Sequence, residues 1–158
     1  IRDVADRGGT LDLKECKFAP VLPREVFAAL LGSNVLSSLT KIDVSSNGIT
    51  MLPLELAQIP PSTPLATLIF RGNQLGRGVE ESLSLSWAPC SLTSLDVSAN
   101  GLSTAQLNTI VSELPTLHFF GFSECVSISC SGIWLIVCRR SFSDHADKFV
   151  NRRSARCR

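Results

Sequence analysis

Three stretches of the chain carry one pattern at matched positions. Leu39-Thr-Lys-Ile-Asp-Val-Ser-Ser-Asn47-Gly-Ile49, Leu65-Ala-Thr-Leu-Ile-Phe-Arg-Gly-Asn73-Gln-Leu75 and Leu92-Thr-Ser-Leu-Asp-Val-Ser-Ala-Asn100-Gly-Leu102 each read L-x-x-L-x-L-x-x-N-x-L, with other apolar residues admitted at the Leu positions. Alternation with period 2 in the middle of each stretch predicts a short strand with one apolar face. One such strand cannot bury its apolar row alone, so recurrence of the unit implies a stack of neighbours that bury it continuously. The recurring Asn has a separate task. A turn after a short strand leaves backbone carbonyls and amides unpaired, and an inward-turned carboxamide has the donors and the acceptor to serve them.

Two weaker copies flank the three good ones. Thr10-Leu-Asp-Leu-Lys-Glu-Cys16-Lys-Phe18 and Leu117-His-Phe-Phe-Gly-Phe-Ser-Glu-Cys125 place Cys where Asn stands elsewhere. Cys16, Asn47, Asn73, Asn100 and Cys125 are therefore the structural repeat positions, separated by 31, 26, 27 and 25 residues. Units of this length hold about two to three turns of helix between strands. The stretch from Pro23 to Leu31 starts with Pro at the first helical position, carries Val26, Phe27, Leu30 and Leu31 as an apolar stripe, and stops at Gly32. A second helix is predicted from Ser103 to Leu114, with a Ser cap, Gln106 three residues on, and Pro115 as the stop. Val79 to Leu85 reads as a short helix, and Leu54 to Gln58 as a shorter one cut off by Pro60-Pro61. The expected fold is an α/β solenoid, with parallel strands on a concave face and helices on a convex face. Residues 10–125 form about five repeats, 1–9 the N-terminal edge of a fragment, and 126–158 a divergent extension, a cap or an artefact of gene prediction.

The formal net charge of +1 hides an asymmetry. Residues 1–138 carry 8 Lys or Arg against 12 Asp or Glu, and residues 139–158 carry 7 against 2. The basic end reads first as a solvated tail and second as a peripheral contact for an acidic lipid surface, and the absence of interleaved aromatics argues against nucleic acid. The longest apolar run, Ile133 to Cys138, is far short of the ~20 residues that span a bilayer, so integral membrane insertion is not expected. Six cysteines lack both the clustered spacing of disulfide-bonded caps and the tandem pairs of a zinc site. Cys16 and Cys125 are expected to be buried thiols at the Asn position, and free thiols imply a reducing, cytoplasmic compartment.

No nucleotide-binding, hydrolase or metalloprotease motif occurs, and His118 and His145 each lack the neighbours of a catalytic triad. Arg71-Gly-Asn-Gln-Leu-Gly-Arg-Gly78 resembles a phosphate loop, but Asn73 and Leu75 already belong to the repeat, so its glycines are expected to serve the turn. No enzyme, cofactor or metal is expected. The expected function is a protein-interaction scaffold. Its outward strand positions are Thr10, Asp12, Lys14; Lys41, Asp43, Ser45; Thr67, Ile69, Arg71; Ser94, Asp96, Ser98; and Phe119, Gly121, Ser123. From these, Lys41, Asp43, Arg71, Asp96 and Phe119 are the expected protein-binding residues, with Phe119 as apolar anchor and the charges setting orientation. Phe119 is alternatively covered by residues 126–158.

The Leu-Asp-Val-Ser-Ala-Asn-Gly and Ile-Asp-Val-Ser-Ser-Asn-Gly units, with irregular lengths and Cys in place of Asn, resemble the ribonuclease-inhibitor-like class of leucine-rich-repeat proteins over residues 10–125. Within that class, Leu39 to Ile49, and Leu92 to Leu102 with the helix through Leu114, resemble the repeat region of the CARMIL family, regulators of actin capping protein. That resemblance implies a role in actin cytoskeleton regulation. The capping-protein-binding and membrane-contacting parts of that family lie outside its repeats, so no binding residue carries over. An extracellular repeat receptor is the remaining alternative.

Overall fold

A computed structural model describes residues 9–52, 54–78, 84–85, 88–89 and 91–122. Five three-residue strands, β1 (Thr10–Asp12), β2 (Lys41–Asp43), β3 (Thr67–Ile69), β4 (Ser94–Asp96) and β5 (Phe119–Gly121), form one parallel sheet in chain order. The register repeats without a slip: Leu11, Ile42, Leu68, Leu95 and Phe120 stand side by side. All five are buried. They form one continuous apolar row, and a one-residue slip of any strand would turn its member out to solvent. Pairing continues past the strands. Val44, Phe70 and Val97 donate their amides to the carbonyls of Ile69, Asp96 and Gly121 at 2.8–2.9 Å, and each side chain is buried next to the row.

The connections supply the other side of the core. Helix α1 (Arg24–Leu31) buries Phe27 and Leu30, with Val26 and Leu31 half-buried. Pro23 is its N-cap in extended conformation rather than its first helical residue, a shift of one position that costs no hydrogen bond because the missing N–H would be unpaired at either place. Helix α2 (Thr104–Glu113) buries Leu107, Ile110 and Val111, with Leu114 just beyond. The predicted capping box is formed: Ser103 Oγ accepts from the Gln106 amide, and Gln106 Oε1 accepts from the Ser103 amide. Among the described residues between β2 and β3 the chain makes only the 3₁₀ segment Leu54–Gln58, where Pro60 and Pro61 leave no room for a longer helix. Further 3₁₀ segments at Asn34–Ser38 and Leu75–Arg77 were not anticipated by the apolar periodicity. Of the expected Val79 to Leu85 helix, only the last two residues are described, and neither is helical. The α/β class is thus established, as a five-stranded parallel sheet with, among the described residues, α-helices in the β1–β2 and β4–β5 connections.

The asparagines hold the repeats together. Asn47, Asn73 and Asn100 are buried, at 4%, 5% and 3% exposure. Asn100 Nδ2 donates to the carbonyls of Val97 and Ser98 in its own repeat and of Phe70 in the preceding one, while its Oδ1 accepts from the Leu75 amide. Asn73 does likewise, donating to Phe70 and Val44 and accepting from the Asn47 and Ile49 amides. Asn47 donates to Leu13, Val44 and Ser45 and accepts from the Phe18 amide. Each carboxamide therefore crosslinks two turns, and no described buried side-chain polar atom lacks a partner.

Cys16 corrects the expectation of a buried thiol. It is exposed, and its Sγ donates to the Lys14 carbonyl, at 3.7 Å. Asn47 serves this turn from the other side, donating to the Leu13 carbonyl and accepting from the Phe18 amide. Cys125 lies outside the described residues.

Candidate functional site

The side chains flanking the buried row point to the open face of the sheet. Register aligns Thr10, Lys41, Thr67, Ser94 and Phe119 in one row, and Asp12, Asp43, Ile69, Asp96 and Gly121 in a second. All ten are half-buried or exposed. Strands ~4.8 Å apart set the spacing along each row. Of the expected third row, Ser45 and Ser98 are buried at 6% and 4% exposure, Lys14 and Arg71 are exposed, and Ser123 lies outside the described residues. The alternation ends here because the chain leaves the strand for a turn. Glu15, Ser46, Gly72 and Ala99, just before Cys16, Asn47, Asn73 and Asn100, have φ between 55° and 69°.

The three aspartates start that turn. Asp12 Oδ1 accepts from the Lys14 amide, Asp43 Oδ1 from the amide and hydroxyl of Ser45, and Asp96 Oδ1 from the Ser98 amide. These are Asx turns, so each carboxylate is fixed by its own strand end. The Asp-x-Ser spacing at Asp43 and Asp96 was the available signal for this role. β3 carries Ile69 at the equivalent place, which puts an aliphatic side chain between two carboxylates.

Of the five expected binding residues, Lys41 and Asp43 meet directly, with Nζ 3.9 Å from Oδ2. Asp96 lies two strands from Asp43 in the same row, and Phe119 pairs with Ser94 on the adjoining strand. Phe119 is 36% exposed, one of three large apolar residues so placed among those described. Arg71 sits apart from the other four, exposed beyond the end of β3. Gly121 was missed as a site residue. A Cβ there would lie 2.7 Å from Asp96 Oδ1, so the glycine is what lets the carboxylate lean over β5. The covering of Phe119 by residues 126–158 lies outside the described residues.

Among the described residues no group of three His, Cys, Asp or Glu side chains is arranged to hold a metal ion, and no helix is long and apolar enough to cross a membrane. No family model matches the chain, and no curated protein matches it.

Proposed function

We propose that the chain is a leucine-rich-repeat solenoid of the ribonuclease-inhibitor-like class and works as a non-enzymatic protein-interaction scaffold, its sheet forming the concave binding face. The observation that carries this reading is the in-register display of two side-chain rows over a backbone crosslinked by Asn47, Asn73 and Asn100. A face built this way loses little conformational entropy on binding, because its strands are already fixed. Lys41, Asp43, Asp96 and Phe119 are the binding residues, with Arg71 at the rim. The proposed setting is the cytoplasm, among regulators of actin, supported by the CARMIL-like repeat sequences and the free thiol of Cys16.

The test uses a purified partner identified with the parent protein. Asp96→Ala with Phe119→Ala should weaken binding at least about tenfold, as expected when a central aromatic anchor is removed. Asn108→Ala with Ser112→Ala, on α2, should leave it unchanged. Equal binding by the parent and the Asp96/Phe119 double variant would overturn the reading.

A further inference from the structure

The chain contains its own comparison for what the open face lacks. On β2, the residue two before Asp43 is Lys41, and its ammonium lies 3.9 Å from Asp43 Oδ2, the oxygen that the Asx turn leaves over. On β4, the residue two before Asp96 is Ser94, which has no cation to offer. Asp96 Oδ1 accepts from the Ser98 amide, and among the described residues nothing answers Oδ2. The same Asx turn thus has a cation beside its carboxylate on one strand and, among the described residues, none two strands away.

The surroundings of Asp96 add shape to that charge. Its carboxylate leans over Gly121, where a side chain would collide with it. Phe119, 36% exposed, stands two residues before Gly121 on the same face, so the ring starts ~7 Å along β5 from the carboxylate. An exposed aromatic ring beside a carboxylate anchored by its Asx turn suits a planar cation. Guanidinium stacks on an aromatic ring and donates in-plane N–H bonds to a carboxylate, whereas an ammonium can do only one of these well.

We infer that Asp96, Gly121 and Phe119 form a receptor for an arginine side chain of a protein partner. The guanidinium donates to Oδ2 of the Asp96 carboxylate, which leans over Gly121, and lies against the Phe119 ring. This rests on the interaction reading above and names the chemistry of the partner at one point of the face.

The test is a titration of the isotope-labelled full chain with a capped peptide, Gly-Ser-Arg-Leu-Ser-Gly, followed by amide resonances. The Ser98 and Gly121 amides should shift. Replacing Arg by citrulline, which keeps the shape and removes the charge, should weaken the apparent Kd about tenfold, and Lys should be intermediate. Asp96→Asn retains an oxygen to accept from the Ser98 amide, so it preserves the turn, and it should reproduce the citrulline loss. Phe119→Ala should weaken binding about three- to tenfold. Absence of shifts, equal binding of the citrulline peptide, or an Asp96→Asn variant that binds like the parent would overturn the inference. So would shifts at Ser98 and Gly121 on replacing Arg139, Arg140, Arg152 and Arg153 by Gln with no peptide present, because the occupant would then be the chain itself. If the arginine peptide fails while a protein partner is still lost on substituting Lys41 and Phe119, the interaction reading stands without this inference.

Discussion

Asn100 illustrates how one carboxamide substitutes for solvent. It satisfies three carbonyls and one amide in two successive turns. Asn100→Ala removes the acceptor of the buried Leu75 amide and one donor from each of the three carbonyls, so unfolding in urea should show a loss of about 1–3 kcal/mol. Cys16 occupies the same place in the pattern but is exposed and serves nothing of the kind, so Cys16→Ser should fall within about 0.5 kcal/mol of the parent. The residue before each of these positions has the opposite character. Ala99 has φ 55° and Ser46 φ 57°, left-handed conformations that cost an L-residue roughly 1–2 kcal/mol and that Gly72 adopts freely in the middle repeat. Ala99→Gly should therefore raise stability by about 0.5–1 kcal/mol, the relief being partly offset by the larger entropy of the unfolded glycine chain. A fall in the urea midpoint for Ala99→Gly would contradict this account.

Elements differ in how openly the sequence announces them. α2 was legible end to end because cap, apolar stripe and stop coincide at Ser103, Leu107 to Leu114 and Pro115, and the reciprocal Ser103 and Gln106 bonds are formed. Ser103→Ala should cost about 1 kcal/mol by thermal or urea unfolding, and a null effect would show that packing of Leu107 and Ile110 alone fixes the helix start. The strands were legible in register, because Leu11, Ile42, Leu68, Leu95 and Phe120 align as the pattern requires. Their length was not. Period 2 continues through Ser45 and Ser98 in the sequence, but the Asx turn at Asp43 and Asp96 diverts the chain inward one residue after the strand ends. The 3₁₀ segments were illegible for a related reason: pieces of three to five residues are too short to show periodicity.

At the scale of the molecule, the first four repeats touch one another through the same three devices, the apolar row, the backbone ladder and the asparagine crosslink, and the fifth adds the row and the ladder. Stability then propagates between neighbours, and a central defect such as Leu95→Ala should cost about 2–5 kcal/mol because the cavity opens between two repeats. The rows of the candidate site were readable from alternation alone, whereas the close approach of Asp96 to Gly121 was not, since it depends on which side chain leans across the strand gap. The cysteines bear on where such a molecule resides. Cys16 is a free, exposed thiol, and an oxidising compartment would leave it open to pairing with other thiols. A cytoplasmic scaffold needs none of its six cysteines paired. Titration of the native-state protein, denatured without reductant, should find six reactive thiols. Two or fewer would place the chain in an oxidising compartment, and with it the receptor alternative would displace the cytoplasmic one, although the sheet and its open face would be unchanged.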